Sequence, residues 1–262
     1  MMQVAARTRL GRCRELNEDT FAIGWMGASG TLGPRDVVSA TLPDACVLAV
    51  YDGCGGAGPG DVASHLAARI VHLAFADKPA PGSVEELDAA LHVAVEASHR
   101  AVFRSSSDNP AHRGMGTTAT VAAVLGRELR IANVGDGRGY LLRCGRLMQI
   151  TRDDTLVNDL LESGELRPEE VPAFAHKGVT TRAVGVDERV KVTMSSAHLL
   201  DGDVLLLCTD GIHGMIDDAV IQLILSSNHE PDEACQALLA AADGAGGHDN
   251  ETVIVARYAT QD

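Results

Sequence analysis

The chain has 262 residues, 45% of them hydrophobic, enough to bury a substantial core in one globular domain. Its 36 acidic residues outnumber 22 lysines and arginines, for a formal net charge of −14. That balance excludes a nucleic-acid backbone or an anionic membrane as partner, since clustered Lys and Arg hold both, and any chemistry on phosphate would need added cations.

No apolar run reaches the ~18 residues of a membrane-spanning helix, and the opening MMQVAARTRLGRCRELNED lacks the apolar stretch of a secretory signal. Six cysteines (13, 46, 54, 144, 208 and 235) form no CxxC pair, and Cys46 and Cys208 sit inside apolar runs. Reduced thiols in a cytoplasmic protein are the expectation.

Residues 3–8 and 20–26 read as short strands around a polar turn carrying Arg14 and Asn17-Glu18-Asp19. The Gly/Ser/Pro-rich stretch 27–34 reads as a surface loop, extended as far as Asp44. Residues 45–51 (ACVLAVY) form a continuous apolar run of strand length, predicting a buried strand. Amphipathic helices follow over 61–76 and 84–106, the second opened by the S-x-x-E spacing of Ser83 and Glu86. Four strand-like segments, 117–125, 128–134, 139–143 and 146–150, are joined by turns too short for parallel crossovers, predicting antiparallel neighbours. A polar helical stretch spans 154–171. Strands at 190–194 and 203–209, helices at 217–225 and 231–243, and a strand at 252–258 complete the chain. Strands with helices grouped between them predict an α+β fold, and with no internal repeat the simplest reading is one domain over 1–262.

Three apolar runs end abruptly in Asp-Gly, at Asp52-Gly53, Asp136-Gly137 and Asp210-Gly211, and Asp249 stands just before the last strand. Singly, each Asp-Gly reads as a tight hairpin turn. Asp52 and Asp210, however, are followed by a glycine-rich loop or a helix instead of an obvious return strand. Carboxylates gathered at one end of a packed sheet repel one another, and bound divalent cations relieve that repulsion. Oxygen-only ligands favour Mg²⁺ or Mn²⁺ over zinc. The ten histidines show no HxH or HExxH spacing.

With these elements in view, the sequence resembles the metal-dependent protein phosphatases of the 2C type in their bacterial form. The resemblance rests on six blocks in order: Arg14-x-x-Asn17-Glu18-Asp19; Asp52-Gly53-Cys54-Gly55-Gly56 with Gly60-x-x-Ala63-Ser64; Gly114-Met115-Gly116-Thr117-Thr118; Val134-Gly135-Asp136-Gly137-Arg138-Gly139-Tyr140; Thr209-Asp210-Gly211; and Asp249-Asn250-x-Thr252. It implies a sandwich of two antiparallel β-sheets flanked by α-helices, with a metal site at one edge. It implies two Mn²⁺ or Mg²⁺ ions, bridged by Asp52, with the Gly53 carbonyl, Asp210 and Asp249 as further ligands and Asp19 and Glu18 reaching metal-bound waters. Asp136, with Asp210, matches the place of a third ion. Arg14 matches the phosphate-gripping arginine, a role suited to a planar guanidinium. The implied reaction is hydrolysis of phosphoserine and phosphothreonine by a metal-activated water, without a covalent intermediate, in phosphorylated proteins that include a serine/threonine kinase. A monomer is implied, and residues 151–171 match the flap that borders the active site.

The chain departs from that pattern in places. Cys54 follows Asp52-Gly53 where eukaryotic relatives carry a histidine, so the proton donor to the leaving group is not identified. His213 and His248, near the expected metals, are candidates for it and equally read as incidental loop residues. Gly214 replaces an Asp or Asn frequent in the family. Cys54 lacks the Cys-x5-Arg loop of cysteine-nucleophile phosphatases. Residues 53–58 also fit G-x-G-x-x-G, but the antiparallel-looking strands that follow do not suit a doubly wound dinucleotide fold. A metallophosphatase of small phosphate esters, or a catalytically silent phosphoprotein binder, stays open on the residues alone.

Overall fold

Strand β5 (Ala45–Tyr51) shows why its run is apolar on both faces. Cys46, Leu48 and Val50 point into a core between two sheets, whereas Val47, Ala49 and Tyr51 point into a second core under helices. The alternation belongs to a four-layer helix–sheet–sheet–helix sandwich, in which strands are covered on both sides although all are antiparallel. The structure, a computed structural model, describes residues 1–27, 31–32, 37–54, 59–76, 78–176 and 178–260.

In chain order the remaining strands are β1 (Met2–Arg9), β2 (Thr20–Trp25), β3 (Thr31–Leu32), β4 (Val37–Leu42), β6 (Gly53–Cys54), β7 (Gly116–Thr117), β8 (Ala119–Leu125), β9 (Glu128–Val134), β10 (Arg138–Arg143), β11 (Arg146–Gln149), β12 (Thr193–His198), β13 (Val204–Cys208) and β14 (Glu251–Tyr258). One sheet runs β11-β10-β13-β14-β1-β4 and the other β12-β9-β8-β5-β2-β3, with β6 and β7 as a separate pair. Helices α1 (Gly60–Phe75) and α2 (Val84–Asp108) cover the second sheet through Ala63, Ala67, Val71, Leu87, Leu91 and Val95. Helices α5 (Asp218–Ser227) and α6 (Pro231–Gly244) cover the first through Ile221, Leu225, Leu238 and Ala242. Ser83 caps α2 as its spacing predicts, accepting the Glu86 N–H at 3.2 Å, while the Glu86 carboxylate reaches back to the Gly82 N–H at 2.8 Å.

Four expectations are corrected. Strands β8–β9 and β10–β11 do pair, but β9 and β10 lie in different sheets, so Gly135-Asp136-Gly137 is a crossing between layers and not a hairpin. The 27–44 loop contains β4, which pairs along β1 from Met2↔Leu42 to Arg7↔Val37, and the short β3; residues 28–30 and 33–36 lie outside the described residues. The strand expected at 190–194 pairs only from Thr193, opposite Asn133, because β9 ends at Val134 and offers no partner further on. Val190 and Val192 still pack on the helix-side core, which is the alternation the sequence displays. Finally, the helix over 154–171 is broken. Helix α3 (Leu156–Ser163) stops at Gly164, whose φ of +76° closes it, and a 3₁₀ segment, Pro168–Ala173, follows. The antiparallel sheets also dispose of a doubly wound dinucleotide fold; Gly55–Gly58 of its motif lie outside the described residues.

Candidate active site

Antiparallel pairing delivers five aspartates to one end of the sandwich. Asp19 precedes β2 and Asp52 follows β5, and these strands pair from Thr20↔Tyr51. In the other sheet Asp210 follows β13 as the first residue of the short α4 (Asp210–His213), and Asp249 precedes β14, with Cys208 opposite Val253. Asp136 sits in the crossing between the two sheets. Both sheets thus contribute to one acidic edge.

The Asp-Gly glycines are required here for a reason other than hairpin turns. Gly53, Gly137 and Gly211 are absent from the positive-φ glycines among the described residues. What each lacks is room. A Cβ on Gly53 would lie 2.3 Å from the Gly60 carbonyl oxygen, and one on Gly211 would lie 1.9 Å from the Asn250 oxygen. Backbone crosses backbone at both points, which brings the flanking aspartates together.

Hydrogen bonds then hold the acidic residues in place. Thr117 and Thr118 clasp Asp52: the Thr118 Oγ1 accepts its N–H at 3.0 Å, and the Thr117 hydroxyl donates to its carbonyl at 2.9 Å. Thr209 donates to Asp19 Oδ2 at 2.8 Å. Glu18 Oε1 accepts the Gly60 N–H at 2.9 Å, while the Ser64 hydroxyl donates to the Glu18 carbonyl at 2.7 Å. Thr180 donates to Asp136 Oδ2 at 2.7 Å.

Electrostatics mark this edge as incomplete without cations. Burial, reinforced by Asp210 and Asp249, pushes Asp19 up to about 7. Burial together with Asp136 and Asp249 pushes Asp210 up to about 6. Asp52 is raised well above the usual carboxylate range by burial and by the other four aspartates, and burial raises Asp136 as well. One oxygen of Asp19 and one of Asp210 are buried with no hydrogen-bond partner. A hard divalent cation satisfies orphaned carboxylate oxygens and lowers all four values at once, so the donor set fits Mn²⁺ or Mg²⁺.

Arg14, Glu18, Asp52, Asp136, Asp210 and Asp249 line one cavity of about 480 Å³, and Gly53 shares it. Asp19, 4% exposed, lies behind that wall. A larger, mainly apolar depression of about 700 Å³ along α1 and β2 touches none of the five aspartates, and chemistry places the site in the smaller cavity. Arg14 is paired at the cavity wall, its Nη2 2.5 Å from Asp249 Oδ2. Cys54 is an exposed residue on the cavity wall, and desolvation of its thiol with the Asp136 and Glu18 carboxylates pushes it up to about 11, which disfavours the thiolate. His213 is half-buried, bonds the Asp136 carbonyl through Nε2 at 2.9 Å, and is pushed down to about 3, mainly by loss of solvent around its ring. It is a neutral prop under Asp136. His248 is exposed, with Nδ1 3.5 Å from Cys13 Sγ. Gly214 donates its N–H to the Asp210 carbonyl at 2.7 Å, and a Cβ there would stand 2.7 Å from that oxygen. The flap segment 151–171 contributes no lining residue; Thr180–Ala183, Val186 and Asp187, on its return leg, do so.

Comparison with known proteins agrees with this geometry. The family model described as Protein phosphatase 2C matches residues 35–231. A serine/threonine phosphatase, stp, of Listeria monocytogenes is 33% identical over 254 residues, 97% of this chain and 95% of its own. The chain belongs to the protein phosphatase 2C family. This 2C-type protein is accordingly a metal-dependent serine/threonine phosphatase of phosphorylated proteins. Its fold matches the crystal structure of the Mycobacterium tuberculosis serine/threonine phosphatase PstP/Ppp with a TM-score of 0.83, at 34% identity over 99% of each chain. The catalytic domain of PstP in complex with two manganese ions matches with a TM-score of 0.77, at 33% identity over 99% of this chain and 100% of that one. Among the described residues no helix is long and apolar enough to cross a membrane.

Two residues of this 2C-type phosphatase escaped the sequence reading. Asn250 appears in a motif block but received no role. Its Oδ1 accepts the Glu18 N–H at 2.8 Å, and its amide donates to the Leu10 and Leu16 carbonyls at 2.9 and 3.0 Å. It thereby ties the loop carrying Arg14 to the start of β14. Asp154, fully buried, accepts the Gly135 N–H at 3.1 Å and pairs with Arg182 and Arg152. It joins the Asp136 crossing to the cavity's rim. A polar run such as TRDD carries no signal that both its acids are buried.

Proposed function

We propose that this phosphatase hydrolyses phosphoserine and phosphothreonine in proteins with water as nucleophile, using two divalent cations held by Asp52, Asp210, Asp249 and the Gly53 carbonyl. Asp19 and Glu18 act on the water around them, and Asp136 with Asp210 takes a third ion. The observation that supports this reading best is the pair of buried, partnerless oxygens on Asp19 and Asp210 within an aspartate cluster in which Asp19, Asp52, Asp136 and Asp210 are pushed toward protonation. When bound, the cations supply an activated water and neutralise charge on the phosphoryl group. Arg14 leaves Asp249 and grips two phosphate oxygens with its planar fork. Thr117 and Thr118 keep Asp52 from turning away. Cys54, which has no Cys-x5-Arg loop around it, forms no phosphoenzyme in this reading. With His213 neutral and bonded to backbone, exposed His248 and solvent are the proton sources for the departing serine or threonine oxygen.

In this reading residues 1–262 form one phosphatase domain, and 151–171 act as a flap braced by Asp154 against the return leg. Changes in the flap would alter substrate choice more than turnover of a small aryl phosphate. The protein works as a cytoplasmic monomer, and its substrates include a serine/threonine kinase. The deciding experiment measures hydrolysis of p-nitrophenyl phosphate and a phosphothreonine peptide, with Mn²⁺ and with EDTA, for the wild type and Asp210→Asn. Metal-dependent turnover of both, lost in the variant, supports the reading. A folded, metal-loaded wild type that turns over neither would end it.

A further inference from the structure

Beyond the cavity rim the surface changes sign. A groove of about 380 Å³ shares Thr181, Arg182, Ala183 and Asp187 with the active-site cavity and continues to Arg189, Val190 and Lys191. Val190 and Val192 pack on the helix-side core, whereas Arg189 and Lys191 stand beside them on the groove's wall. Both are exposed, and among the described residues neither forms an ion pair or a side-chain hydrogen bond. Arg182, in contrast, is engaged by Asp154 and Asp159. The only carboxylate in the groove's lining is Asp187. On a chain of net charge −14, two neighbouring cations in a groove that adjoins the catalytic cavity make a local patch of opposite sign.

We infer that this groove is a substrate subsite in which Arg189 and Lys191 receive a second anionic group of the phosphoprotein, a further phosphate or an acidic side chain, near the phosphoresidue being hydrolysed. The inference rests on the phosphatase reading and adds to it what the enzyme selects. An acidic enzyme repels an acidic substrate at long range, and a local pair of cations beside the catalytic cavity offsets that repulsion where the peptide docks. The segment suits the task, because 189–192 lies beyond the paired part of β12 and is anchored from beneath by its valines.

The test uses three families of phosphothreonine peptides: neutral flanks, one glutamate, or a second phosphothreonine, the added anion placed at each of the four positions on either side. They are assayed with Mn²⁺-loaded wild type, the double variant Arg189→Gln/Lys191→Gln, and a control of equal charge change, Arg127→Gln/Arg146→Gln. The wild type should prefer at least one anion-bearing series over the neutral one by about three- to tenfold in kcat/KM, carried by KM. The double variant should lose that preference, and the control should keep it. Raising the ionic strength should shrink it, since exposed pairs are screened. Comparing the glutamate and phosphothreonine series shows which anion the groove selects. Turnover of p-nitrophenyl phosphate is the internal reference and should stay within about twofold in all three proteins. No preference in the wild type, or one retained in the double variant, overturns the subsite while leaving the phosphatase reading intact. A wild type inactive on p-nitrophenyl phosphate overturns both.

Discussion

Arg14 and Asp249, 235 residues apart in sequence, meet in a 2.5 Å ion pair. The guanidinium proposed for phosphate therefore competes with a cation for the same carboxylate. Replacing Arg14 with Ala should have opposite effects on two ligands. Mn²⁺, measured by calorimetry, should bind up to about fivefold more tightly, because an exposed competing pair is worth at most about 1 kcal/mol. Inorganic phosphate, measured as a product inhibitor, should bind about ten- to a hundredfold more weakly, the loss expected for a charge-assisted pair. Weaker binding of both would contradict this division of roles.

Asn250 makes three hydrogen bonds to the backbone on either side of Arg14 while 4% exposed. Asn250→Ala removes three hydrogen bonds made by one buried side chain, and should cost about 2–4 kcal/mol of stability. In a domain of this size that lowers Tm by about 5–15 °C. Activity at a permissive temperature should fall through KM, because Arg14 loses its mooring. A change in Tm below about 2 °C would show that the loop is held by other contacts.

His213 offers a test of the proton donor. A group held near 3 and bonded to the Asp136 carbonyl cannot titrate between pH 6 and 8. The pH profile of kcat in His213→Gln should therefore keep the wild-type shape even if its height falls. A limb lost or moved by one pH unit or more would make His213 the acid after all.

Asp210 should make the metal-free protein sensitive to rising pH. Its folded value of about 6 lies above the ordinary 3.8, so its contribution is fully present below about pH 4 and is lost as pH rises through 6. His99 and His213, both lowered, act with the opposite sign over part of this range, losing stability as pH falls below about 6.5. Comparing two proteins that share them removes their effect. In chelator, the Tm of Asp210→Asn minus that of wild type should grow between pH 4 and 7 and level off above. Adding Mn²⁺ should close or reverse the gap, because the ion stabilises the charged carboxylate. A difference independent of pH would mean that Asp210 is not strained by its neighbours.

Much of the site was legible because its chemistry is local. An apolar strand that stops at an aspartate announces a carboxylate at a sheet end, and this held for Asp52 and Asp210. The reason for the glycines did not show, since close approach of Gly53 to Gly60 and of Gly211 to Asn250 depends on distant chain. The crossing at Asp136 was invisible for the same reason: a two-sheet switch and a hairpin require the same short polar turn. Strand β4 was missed because VVSATL sits on an edge, where one-sided burial leaves a weaker pattern than in ACVLAVY.

By itself the sequence determined which residues are apolar, where strands end, and which short-range caps and turns are available; backbone preference and side-chain period set these within a few residues. Only the tertiary structure decided that β9 and β10 part company, that Arg14 rests on Asp249, that Asp154 is buried under two arginines, and that Arg189 and Lys191 line a groove adjoining the catalytic cavity. These relationships depend on the packing of two sheets against each other. Packing sums contacts between residues far apart in the chain, and no local pattern encodes which of them will meet.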